Sequence, residues 1–220
     1  MLRRSAPRDP GATREALLAA GTELFSRHGF DGATSEQIAR RARVNKALIN
    51  YHFRSKQGLY EAIVEATVGS LLEELRQERP ERQPAPARLE RFIRSVAELN
   101  RRQPSFSVIL LREMIAGGPR INERIAAQFG AVLRQVGSIL AQGAREGSLR
   151  RADPFLTHLT IMGSMIFFHA TAPARDRLIQ AKLVPIARAP DPAAFAAHLL
   201  ELLGRGLETR RGAEASRRAR

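Results

Sequence analysis

The chain has 220 residues, 44% of them apolar and none of them cysteine, so a packed core is within reach while disulfides, thiolate metal sites and cysteine nucleophiles are excluded. Against 22 acidic side chains stand 36 Lys and Arg, a formal charge of +14 that favours polyanionic partners, nucleic acid first among them. The longest strongly apolar stretch, residues 161–168, is far short of the roughly 20 residues that cross a bilayer, and no apolar run follows the arginines of MLRRSAPRDPGATRE. The expectation is a cytoplasmic protein with no membrane partner and no secretory leader.

The basic excess sits at the ends. Residues 1–56 carry a net of +6, residues 205–220 a net of +4, and the much longer middle only +4. Apolar residues recur at helical spacing almost throughout, and strict alternation is absent, so the fold class is all-α. Leu17, Leu18, Leu24, Phe25 and His28 mark a first helix over residues 13–28, with Gly29 at its left-handed end. Thr34 and Gln37 form a capping box for a short second helix, residues 35–42, that buries Ile38 and Ala39. Asn45 caps an equally short third helix ending near Tyr51 or His52. Ser55 caps a fourth, through Leu59, Ile63, Leu71 and Leu75 to about Glu78, before a linker containing Pro80, Pro84 and Pro86.

Helices follow over residues 87–102 and 105–116, then the turn Gly117-Gly118-Pro119, then a long helix ending near Glu146 and Gly147. Two more open on Asp153-Pro154 and Asp191-Pro192, where Asp caps and Pro fills the first helical position. Residues 173–190, with three prolines and four basic side chains, read as a long loop or as holding one short helix. The resulting organisation is a flexible basic N-terminus (1–11), a helix-turn-helix domain (12–57), a helical body (58–208) and a flexible basic tail (209–220).

Two short helices joined by a three-residue turn, with a long helix after them, make a helix-turn-helix DNA reader. Its second short helix leaves Lys46, Ala47, Asn50 and Tyr51 on the outer side. Lysine reaches guanine or phosphate, asparagine binds adenine bidentately, alanine touches a thymine methyl, and tyrosine donates to phosphate. Thr34, Ser35, Ser55 and Lys56 offer free N–H groups and one ammonium at the starts of the second and fourth helices, where phosphates bind.

Residues 30–65, FDGATSEQIARRARVNKALINYHFRSKQGLYEAIVE, closely resemble the DNA-binding region of TetR-type repressors. The matching positions are Gly32, Thr34, Ile38-Ala39, Ala42, Val44, Tyr51-His52-Phe53, Lys56 and Leu59. The resemblance implies operator contacts at Ser35, Lys46, Ala47, Asn50, Tyr51, His52 and Lys56. Arg43 stands where the family usually has glycine, at a cost of about 1 kcal/mol if that residue is left-handed, and is a candidate phosphate contact. Asn50 stands where tyrosine is common, so base preference does not carry over.

The resemblance also implies a homodimer built from the last two helices, a palindromic double-stranded operator, and a small-molecule effector held in the body. The helix of residues 154–170 is apolar nearly all round, which calls for a second partner, and Leu159, Gly163, Ile166 and Phe167 form one side of it. Phe195, His198, Leu199, Leu202 and Leu203 form the stripe of the last helix that pairs with its counterpart. Candidate pocket residues are Phe106, Leu110, Met114, Phe129, Met162, Met165, Phe168 and His169, a set that suits an apolar or aromatic effector. Ordinary core packing is the competing reading for each.

The five histidines show no metal-ligand spacing, no Gly-x-Ser-x-Gly elbow occurs, and no glycine-rich phosphate loop follows a strand. The expectation is therefore no metal, no cofactor and no enzyme. A nonspecific architectural DNA-binding protein is the alternative function.

Overall fold

The computed structural model describes residues 9–76 and 83–209. Among these residues there are ten helices: α1 (Pro10–Gly32), α2 (Ser35–Ala42), α3 (Ala47–Phe53), α4 (Lys56–Arg76), α5 (Ala85–Arg102), α6 (Pro104–Ile115), α7 (Glu123–Glu146), α8 (Pro154–Ala170), α9 (Ala172–Gln180) and α10 (Pro192–Leu207). An isolated bridge between Leu149 and Glu208 is the extended pairing found beside them. The ends expected to be flexible and the linker proline Pro80 fall outside the described residues, apart from positions 9–11 and 209. No single described helix is long and apolar enough to cross a membrane.

The helix starts follow local chemistry. Asp153 and Asp191 accept from Leu156 N (2.8 Å) and Ala194 N (2.7 Å), each just ahead of a proline at the first helical position. Gly147 ends α7 in the left-handed conformation. Two boundaries correct the sequence reading, and a third segment is decided between the readings left open. Asp9 caps and Pro10 starts α1, so residues 10 and 11 are helical rather than part of a flexible arm. Pro86 lies in the first turn of α5, where its missing N–H costs nothing, so that helix begins two residues earlier than expected. For residues 173–190 the short-helix alternative is the one present: α9 has no buried residue, and a loop follows it.

Leu17, Ala20 and Phe25 of α1, Ile38 of α2 and Ile49 of α3 join Leu59 and Ile63 of α4 in one core, which continues through Phe92, Ile93 and Val96 of α5 into Ile125, Val136, Ile161 and Met165. Packing α1 on α6 and α4 on α5, α6 and α7 makes that core continuous from the reader to the body. Gly29 interrupts α1 (φ 72°, ψ 178°), a conformation closed to most side chains, and the kink turns Phe30 toward Phe25 and Tyr60.

Candidate nucleic-acid interface

α2 is fixed at both ends. Thr34 Oγ1 accepts from Gln37 N (3.2 Å) while Thr34 N donates to Gln37 Oε1 (2.8 Å), the reciprocal box read from the sequence and worth about 1 kcal/mol. At the other end Arg43 is left-handed (φ 56°, ψ 41°), and its N–H and that of Val44 bond to the carbonyls of Arg40 and Ala39. Arg43→Gly is expected to relieve about 1 kcal/mol of backbone strain. For a chain of this length that is a rise in Tm of about 2–4 °C, read by calorimetry.

α3 begins at Ala47, two residues after the expected cap, because Asn45 caps at a distance: its Oδ1 accepts from Ala47 N (2.8 Å) and its carbonyl from Leu48 N (3.0 Å). Ile49 and Phe53 are buried and anchor the helix, each contributing roughly 1.5–3 kcal/mol by leaving water. Lys46, Ala47, Asn50 and Tyr51 are left exposed, Tyr51 at 76%. Thr34 is exposed beside the start of α2, while Ser35 and His52 are half-buried. The ring of His52 stands edge-on to Tyr51, 4.9 Å between centroids.

Lys56, expected as a phosphate contact, also makes bonds within the chain. Its ammonium donates to the carbonyls of Phe30 (2.9 Å) and Ala33 (3.0 Å) and lies 4.2 Å from the Phe30 ring centroid. Two of its three donors are thus spent clamping the α1–α2 corner to α4. Ser55 Oγ accepts from Gly58 N (2.9 Å), the cap expected for α4.

The opposite side of Phe30 meets the body. Arg120, in the turn between α6 and α7, lies 4.1 Å from the ring centroid, and its guanidinium reaches Asp31 (3.3 Å) and Glu113 (3.5 Å). Glu113 is buried; its carboxylate also accepts from Arg120 N (2.6 Å) and from the Tyr60 hydroxyl (2.9 Å). Burial, then the hydrogen bond to Glu113, pushes the Tyr60 phenol well above its ordinary pKa, so it stays a donor. Asn122 Oδ1 caps α7 while its Nδ2 donates to Glu61 Oε2 of α4 (3.0 Å). The helix that follows the reader is therefore held by polar contacts from the body at Tyr60 and Glu61. Sequence reading missed this junction because its partners lie about fifty or more residues apart.

The expected pocket and dimer residues divide by burial. Phe106, Leu110, Met165, Phe168 and His169 are buried, Phe129 and Met162 half-buried, but Met114 stands exposed near the end of α6, which removes it from an enclosed wall. Three concavities of about 220, 410 and 510 Å³ lie against α1 and α4 and share no residue with that set. On α8, Leu159 and Phe167 are exposed, as are their neighbours Phe155 and Leu156, with Gly163 and Ile166 half-buried between them. On α10 only His198 and Leu202 of the expected stripe are exposed. Leu199 is buried, a correction to the sequence reading, while Leu203, packed on the core, and Phe195, stacked on Phe168 at 4.1 Å, are half-buried.

Comparison with known proteins places this geometry. Residues 17–63 match the bacterial regulatory proteins of the tetR family, and residues 82–169 match a tetracyclin repressor-like C-terminal domain. The HTH-type transcriptional regulator RutR of Escherichia coli K12 is 32% identical over 151 residues, covering 69% of this chain and 70% of that one. The HTH-type transcriptional repressor NicS of Pseudomonas putida is 28% identical over 160 residues, covering 71% and 75%. Among solved structures, the fatty acid degradation regulator FadR of Bacillus halodurans superposes with a TM-score of 0.71 at 15% identity, over 92% of this chain and 97% of that one. FadR of Bacillus subtilis, solved in complex with stearoyl-CoA, gives 0.70 at 19% identity, over 86% and 96%.

Proposed function

This chain belongs to the tetR family of bacterial regulatory proteins, and from that premise we propose that it represses transcription as a homodimer on a palindromic operator and is released by a small apolar or aromatic effector. It is a helix-turn-helix transcriptional regulator, and it works in the cytoplasm by binding rather than by catalysis. The observation that carries the reading is α3 itself. Ile49 and Phe53 pin one side of a capped seven-residue helix, and Lys46, Ala47, Asn50 and Tyr51 face solvent with chemistry suited to base edges and phosphates.

Two copies joined through the exposed apolar residues of α8 and α10 present two such helices to half-sites related by a two-fold axis. An effector lodged among Phe106, Leu110, Phe129, Met162, Met165, Phe168 and His169 shifts the reader only by its different affinity for the two arrangements. The contacts at Tyr60, Glu61 and Phe30 are the route by which the body reaches α4.

The test is binding of variants to a duplex recovered by selection from a random pool and to the unselected pool. Tyr51→Ala is expected to weaken both by a similar factor, because its hydroxyl contacts phosphate. Asn50→Ala is expected to lose roughly 1–3 kcal/mol on the selected duplex and far less on the pool. Equal losses for Asn50→Ala on both would remove it from base reading and support the architectural alternative.

A further inference from the structure

Residues 35–53, the two helices of the reader and their turn, contain Arg40, Arg41, Arg43 and Lys46 but a single acid, Glu36. Its carboxylate forms a hydrogen-bonded ion pair with Lys46, ten residues further on, at the entrance to α3. Arg41, by contrast, pairs with Glu23 of α1 at 2.6 Å. Both partners of the Glu36–Lys46 pair are more than half exposed, at 58% and 55%, so it lies open on the solvent side of the reader. The pairing holds the Glu36 carboxyl below the usual carboxylate range, and it is charged at neutral pH.

An acid on a surface that docks on a polyanion repels every phosphate, whatever the sequence. An unrestrained lysine does the opposite: a point charge on a four-carbon stem, it settles on any phosphate within reach. Tied together, the two side chains present a donor beside an acceptor. A G·C pair offers the complement in the major groove, with guanine O6 and N7 as acceptors and the cytosine amino group as donor. We propose that Glu36 is a specificity-determining residue, which withholds the Lys46 ammonium from phosphates on random DNA and makes the pair a reader of one G·C base pair. This rests on the placement of α3 in the major groove under the proposed function.

The test is a double-mutant cycle with Glu36→Gln and Lys46→Met, read as affinity for the duplex selected by the unsubstituted protein, for random duplex, and as the base preferences each variant selects from a pool. Glu36 is exposed and lies outside the Thr34–Gln37 capping bonds, so the variants fold; circular dichroism checks this. Glu36→Gln is expected to bind random duplex about fivefold tighter and the selected duplex no tighter, so the ratio falls about fivefold or more. The preference for G·C should vanish at the same position in Glu36→Gln as in Lys46→Met, and in the Lys46→Met background Glu36→Gln should change the ratio less than about twofold. Equal tightening on both duplexes, or the same effect with and without Lys46, overturns the proposal, since loss of one negative charge would then explain everything. Failure of the unsubstituted protein to select any sequence refutes the proposed function instead.

Discussion

The double substitution Leu159→Asp and Phe167→Asp is expected to leave the chain folded but monomeric, and to weaken its hold on a two-half-site duplex by at least about 100-fold. Both side chains stand more than half exposed on α8, beside Phe155, Leu156 and, on α10, Leu202. An apolar patch of that kind on a charged protein marks a surface that another molecule covers. Aspartate at two central positions desolvates two charges if the interface still forms, a cost far above what the remaining apolar area returns. Because neither side chain is part of the core, helicity and Tm of the separated chains change little. Sedimentation should therefore show a species of 24.4 kDa in place of one twice as heavy. The loss on DNA comes from chelation: with one half-site bound, the second reader of a dimer is held at high effective concentration, and a monomer has no second reader.

Gly58→Ala is expected to destabilise the reader by about 3 kcal/mol, the largest single-residue effect on stability foreseen. Gly58 lies in the first turn of α4, and a Cβ there would fall 2.0 Å from the carbonyl oxygen of Phe53, far inside contact distance. Backbone on both sides fixes the clash, since Arg54 N bonds to Asn50 O (2.9 Å) and Gly58 N to Ser55 Oγ (2.9 Å). Relief requires moving the end of α3, the helix proposed to dock on DNA, so DNA affinity is expected to fall together with stability. Gly69→Ala is the control. It lies in the same helix, where a Cβ would meet only the flexible end of Gln128 at 3.4 Å, and it should be neutral or stabilising by up to about 1 kcal/mol. Urea unfolding of the two variants, with hydrogen exchange in α2 and α3, separates a local clash from a general cost of filling glycines.

What the sequence displayed well was local chemistry. The Thr34–Gln37 box, Ser55, Gly147 and the two Asp-Pro starts each act within a few residues, and each cap forms where its spacing puts it, while Asn45 bonds to Ala47 N with Lys46 in the cap position. Periodicity told which residues of α10 share a stripe, but not which neighbour covers it. Leu199, Phe195 and Leu203 were open to either side, and α5 and α8 claim them for the core. Which side of α3 is exposed was legible for the opposite reason: a seven-residue helix with two buried residues has only one way to face.

The intramolecular bonds of Lys56 were not legible, because its carbonyl acceptors at Phe30 and Ala33 depend on the kink at Gly29, a tertiary consequence of one positive φ. The Tyr60–Glu113–Arg120 junction spans 60 residues of sequence and left no local trace. The Glu36–Lys46 pair was within reach, since the helix-turn-helix brings the start of α2 close to the start of α3, but a lone acid on a short helix reads as solubilising charge.

In the proposed function, two copies of one reader recognise a specific duplex. The most direct test is selection of bound sequences from a random duplex pool by the full chain at about 0.15 M salt, where nonspecific phosphate binding is weak. A two-fold dimer of such readers should enrich an inverted repeat whose half-sites lie about one helical turn, or a multiple of it, apart. Binding that enriches no sequence and fades as salt is raised would contradict it, and would leave the +14 charge as the whole explanation of the affinity.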